Sequence, residues 1–88
     1  MSSFALRATV SNGMFDAEKF ARFKDRNGED VDFIAPTSKV IFSQHGRSNL
    51  VRVRVLAVQD NLYLIELPGE VFGSGREVVV EADKVETV

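Results

Sequence analysis

The chain has 88 residues, no cysteine, a single histidine and a formal charge of −2. That length suits one small domain spanning 1–88, because two cores of half the size would bury too little without a staple. Absent thiols exclude a disulfide framework and a thiolate zinc site, a lone imidazole builds no metal cluster, and the longest apolar run, Val55 to Val58, is far shorter than the ~20 residues that cross a bilayer, so no metal, cofactor or membrane is expected.

The start Met1-Ser2-Ser3-Phe4 has no charged segment leading into an apolar one, and the expectation is a cytoplasmic protein. Phe4, Leu6, Ala8 and Val10 then alternate with Ala5, Arg7 and Thr9, a period of two that sends one face inward and leaves Arg7 and Thr9 wet. Ser11-Asn12-Gly13 supplies a turn. From Met14 to Lys24 two readings compete. Asp16 suits the cap of a short helix through Ala17, Phe20, Ala21 and Phe23, whereas Phe20 to Asp25 also reads as a strand with Ala21 and Phe23 inward. The next turn favours the strand. A three-residue loop, Arg26-Asn27-Gly28, with Gly28 left-handed, sets Phe23 opposite Val31, Ala21 opposite Phe33, Lys24 opposite Asp30 and Arg22 opposite Asp32. A two-residue loop would mix polar with apolar on both faces. Met14 to Phe20 stays open between helix and extended chain.

Ala35-Pro36-Thr37-Ser38 breaks the following strand, since proline offers no N–H to a ladder. Lys39 to Phe42 reads as a short strand and Ser43 to Asn49 as a polar loop. Leu50 to Leu67 is the sharpest signal in the chain: a β-hairpin reversing at Asp60-Asn61. Counted as a straight ribbon, one face holds Val51, Val53, Val55, Ala57, Leu62 and Leu64. The other holds Arg52, Arg54, Leu56, Val58, Tyr63 and Ile65. Both faces are apolar near the tip, so something must cover Leu56, Val58, Tyr63 and Ile65. A β-bulge near Val55, the segment around Met14 and Phe15, or a second copy of the chain would each do so. Residues 68–76 read as a glycine-rich flexible connection, Glu77 to Glu81 as the last strand, and Ala82 to Glu86 as one helical turn.

About six short strands, tight turns and at most one short helical turn define an all-β class: a small, strongly bent barrel or two-layer sandwich. In strand number, in the long central hairpin and in a closing turn near Asp83-Lys84-Val85, the chain resembles the SH3-like small barrels. The likeness covers most of the chain but concerns layout, and it carries over no site residue.

Charge runs along the chain as a gradient. Nine Lys and Arg oppose six Asp and Glu through Arg54, and two oppose seven beyond it. Lys39, His45, Arg47, Arg52 and Arg54 fall in a stretch without an acidic residue and are the candidates for binding an anion or nucleic acid. The leading expectation is a non-enzymatic protein-interaction or structural module, self-associating or binding a protein partner through Leu56, Val58, Tyr63, Ile65 and Phe72, with the edge of a short strand such as Val40 to Phe42 as a further contact. Nucleic-acid binding ranks second, because the acidic C-terminal half repels a polyanion. Catalysis ranks last: Ser43, His45 and Ser48 form no recognisable nucleophile and base pair, and Asp30 and Asp32 each acquire a basic neighbour in the register above.

Overall fold

The computed structural model describes residues 3–13, 15–42, 49–71 and 75–88. The alternating segments form strands β1 (Phe4–Asn12), β2 (Glu18–Lys24), β3 (Asp30–Pro36), β4 (Val40–Ile41), β5 (Asn49–Gln59), β6 (Leu62–Glu66), β7 (Glu70–Val71), β8 (Glu77–Glu81) and β9 (Val85–Thr87). Six of these have five residues or more; β4, β7 and β9 are two- and three-residue pairings. Among the described residues the only helical segments are two 3-10 turns, Thr37–Lys39 and Ala82–Lys84. No helix among them is long and apolar enough to cross a membrane.

The pairings among the described residues are antiparallel, in the order β7-β3-β2-β1-β5-β6-β8 with β4 on β5 and β9 on β1, and the sheet curls into a half-barrel. The curl comes from two long strands that change neighbours along one edge. β1 pairs with β9 through Phe4 to Leu6 and with β2 through Thr9 to Asn12. β5 pairs with β4 at Leu50 and Val51 and with β6 from Arg54 onward. The concave face collects Leu6, Ala8, Ala21, Phe23, Phe33, Ala35, Val51, Ile65, Leu67 and Val80 as the core. Phe23 meets Phe33 edge-on, with ring centres 6.0 Å apart, a favoured arrangement of ring quadrupoles.

The loop at Arg26-Asn27-Gly28 has three residues. Phe23 faces Val31, Ala21 faces Phe33, Lys24 faces Asp30 and Arg22 faces Asp32, and Gly28 takes φ +81°. Lys24 Nζ lies 3.0 Å from Asp30 Oδ1, and Arg22 Nε lies 2.5 Å from Asp32 Oδ1. Residues 15–17 form a turn, closed by Glu18 N–H donating to the Phe15 carbonyl at 3.0 Å, and β2 begins at Glu18, so the described part of this stretch is a turn running into a strand and not a helix; Met14 lies outside the described residues.

The hairpin reverses at Asp60-Asn61, with Gln59 facing Leu62 and Asp60 at φ +54°. Its ladder slips between Val55 and Ala57, leaving Leu56 as the extra residue of a bulge. That bulge corrects the straight-ribbon faces: Val55 faces Ile65 and Val58 faces Tyr63, so Tyr63 and Ile65 share the side of Val51 and Val53 rather than that of Arg52 and Arg54. Ile65 is fully buried, and Tyr63 packs edge-on against Phe4 at 6.1 Å. β8 also covers this ribbon, with Val78 beside Ile65 and Val80 beside Tyr63.

Three further expectations change. Lys39 ends a 3-10 turn instead of starting a strand. The connection 68–76 contains β7, which pairs with β3 through Val71 opposite Phe33. The final helical turn stops at Lys84, and Val85–Thr87 closes onto β1 as β9.

Candidate functional site

Along the edge of β5 that meets β4 and β6, strand pairing is interrupted. β4 ends its pairing at Val40 opposite Val51, and β6 begins at Glu66 opposite Arg54, which leaves Arg52 and Val53 without a strand neighbour on that side among the described residues. Lys39 continues the line of β4 beside Arg52, because it directly precedes Val40. Arg52 and Arg54 alternate with the inward valines and are exposed, as is Lys39.

These three cations form a shelf between two clefts. Lys39, Arg52, Val53 and Arg54 line both. The first cleft, of about 440 Å³, is completed by Ser3, Phe4 and Val55; the second, of about 250 Å³, by Glu66, Leu67 and Pro68. Among the described wall residues Glu66 is the one acid, and its Oε1 lies 4.0 Å from Arg54 Nη1. Exposed pairs at that distance are worth little. Among the described residues Lys39 and Arg52 enter no ion pair.

A second group of cations on the convex face behaves differently. Arg7, Arg22, Lys24 and Lys84 border a cleft of about 290 Å³, but three of them are already engaged. Arg7 pairs with Glu86 at 3.2 Å and donates to the Asp83 carbonyl, Arg22 pairs with Asp32 and Lys24 with Asp30. The Arg22 hydrogen bond holds the Asp32 carboxyl below the ordinary aspartate range, and Asp32 in turn raises the Arg22 guanidinium. Asp30 and Asp32 therefore act as structural counter-ions. No group of three His, Cys, Asp or Glu suited to a metal occurs among the described residues.

Of the five residues read from the sequence as anion ligands, Lys39, Arg52 and Arg54 come together. His45 and Arg47 lie outside the described residues, as do Ser43, Ser48 and Phe72. Of the four hairpin residues read as a contact surface, Leu56 is 38% exposed and Val58 is 58% exposed, while Tyr63 is half-buried and Ile65 is at 0%. The sequence reading did not single out Glu66, Ser3 or Phe4 as walls. Glu66 could be found only by counting the bulge, which sets it opposite Arg54. Compared with protein-family models, curated proteins and solved structures, the chain matches none.

Proposed function

We propose that this chain is an SH3-like small barrel serving as a non-enzymatic binding module, and that its shelf of Lys39, Arg52 and Arg54 receives the phosphates of a nucleic acid. The observation that carries the reading is the convergence of three cations from two chain segments, with two of them unneutralised among the described residues. The SH3-like assignment is supported by the meander β5-β6-β8, the 3-10 turn Ala82–Lys84 and the return of β9 to β1. A cytoplasmic setting goes with a chain that has no cysteine.

Three phosphate contacts make a weak and salt-sensitive binder. The logarithm of the binding constant falls with the logarithm of salt at a slope of about −2 for a single strand and about −3 for a duplex. Fluorescence anisotropy with labelled oligonucleotides across a salt series tests this. Arg52→Ala and Lys39→Ala each lower affinity and flatten the slope by roughly one contact. Arg22→Ala, which removes a cation already held by Asp32, changes neither. Absence of binding at low salt, or equal losses in all three variants, would overturn the proposal.

A second reading rests on Leu56 and Val58, which stay exposed at the end of the hairpin. Self-association through them makes the apparent mass rise with concentration in sedimentation, and Val58→Lys abolishes the rise. A concentration-independent monomer disposes of it.

A further inference from the structure

β8 is the last strand of the sheet: it pairs with β6, and no other strand among the described residues meets its far edge. Two hydrogen bonds set the phase of the β6-β8 ladder. Leu67 N–H donates to the Arg76 carbonyl at 2.9 Å, and Ala82 N–H donates to the Asn61 carbonyl at 2.7 Å. In an antiparallel ladder, directly opposed residues alternate between bonded and non-bonded pairs. The register runs from Leu62 opposite Glu81 to Glu66 opposite Glu77, so both bonds fall on the same alternation and the bonded pairs between them are Tyr63 with Val80 and Ile65 with Val78. Glu77, Val79 and Glu81 therefore direct their N–H and C=O groups away from β6.

The same three residues carry the side chains of the convex face, Glu77 and Glu81 exposed and Val79 half-buried between them. An edge of this kind offers backbone hydrogen bonds at every second residue together with an acid, apolar, acid sequence of side chains. A second copy of β8 does not suit it: antiparallel pairing sets Glu77 against Glu81 twice, and parallel pairing stacks like on like. The partner that satisfies both backbone and side chains is a heterologous extended segment with a basic residue at its first and fifth positions, an apolar residue at its third and β-branched residues between. We propose that the free edge of β8 docks such a segment by strand addition, a contact separate from the cationic shelf.

Nitrogen-15 NMR titration of the whole chain with the peptide Lys-Thr-Val-Thr-Lys, capped at both ends, tests the proposal. In the free protein the amides of Glu77, Val79 and Glu81 exchange with solvent much faster than those of Val78 and Val80. The peptide shifts those three amides and slows their exchange. Its affinity exceeds that of Glu-Thr-Val-Thr-Glu by about tenfold or more, as expected for two matched cross-strand charge pairs against two repulsive ones. Methylating the central valine nitrogen of the peptide removes the binding. Val79→Pro deletes an edge N–H that β6 does not use, so it abolishes binding with the fold retained. The Glu77→Lys, Glu81→Lys double variant inverts the preference between the two peptides and does not depend on the outcome for proline. Arg52→Ala leaves the titration unchanged. Equal affinity for the two peptides, or inversion failing in the double variant, overturns the proposal, as does slow exchange at Val79 in the free protein.

Discussion

Gly69 sits where the chain crosses the edge of β3, and replacing it with alanine isolates one steric contact. A Cβ there would lie 1.6 Å from the Ile34 carbonyl oxygen and 2.8 Å from the carbonyl carbon. Its φ is not positive, so conformational preference is not at issue; the contact is. Bringing that oxygen to the 3.0 Å limit of real contacts moves the two segments apart by about 1.4 Å. Hydrogen bonds stretched by that much are lost. β7 then leaves β3, with Val71 coming off Phe33 and Glu70 off Ile34. Two backbone bonds at about 1 kcal/mol each and partial exposure of Val71 at about 1 kcal/mol amount to a loss of about 2–3 kcal/mol. For a domain of this size that lowers the melting temperature by roughly 10–20 °C. Gly75 provides the control, because a Cβ there meets nothing within 4 Å among the described residues. Gly75→Ala is neutral or stabilising by about 0.4–1 kcal/mol, through the unfolded chain. Thermal unfolding followed by circular dichroism reads both. If Gly69→Ala melts with the parent or with Gly75→Ala, the close crossing of Gly69 over Ile34 is wrong.

Phe33→Ala removes the largest fully buried ring and its contact with Phe23, at a cost of about 3–5 kcal/mol out of the ~4–13 kcal/mol typical for this length, whereas Phe20→Ala on the convex face costs under about 0.5 kcal/mol; urea titration separates them, and equal midpoints would place the core elsewhere. Gly28→Ala forces an L-residue to φ +81° and loses about 1–2 kcal/mol in the same assay, with Gly28→Asn retaining more of the stability than alanine does. Because Arg22 lowers the Asp32 carboxyl in the folded state, the pair stabilises the fold above the unfolded aspartate value of about 3.9, and this contribution disappears as pH falls through the lower folded value. Carboxyl carbon NMR finds the Asp32 midpoint below that of ordinary aspartates and returns it to them in Arg22→Gln; identical midpoints in the two proteins contradict the hydrogen bond.

What could be read from the sequence tracks how local each interaction is. The β2-β3 register was legible because one loop length alone pairs Phe23 with Val31 and Arg22 with Asp32, and every side chain within a few residues votes on it. The reversal at Asp60-Asn61 was legible for the same reason. Past Leu56 a straight count fails; apolar residues on both faces point to a bulge near Val55 as one of three ways to cover them, and the ladder does slip between Val55 and Ala57, which moves Ile65 and Tyr63 to the inner side. β7 and β9 were illegible: two or three residues have no periodicity, and their extended form depends on the open edges of β3 and β1.

Charge follows the same division, and it bears directly on function. A net charge of −2 with an acidic C-terminal half argues against a polyanion when charges are counted along the chain. Folding sorts them by pairing instead. Asp32, Asp30 and Glu86 are spent on Arg22, Lys24 and Arg7, across strands that the register sets side by side. Glu77 and Glu81 stand on β8, at the end of the sheet. The acidic excess is thus held partly by partners on the convex face and partly on β8, while at the gap between β4 and β6 Lys39 and Arg52 have no acidic partner among the described residues. One curled sheet thereby carries a cationic shelf on β5 and an anionic edge on β8, linked by the cross-strand row Arg54, Glu66 and Glu77; Arg52 and Val79 both lie outside that row, so substitutions at the two act on different ligands.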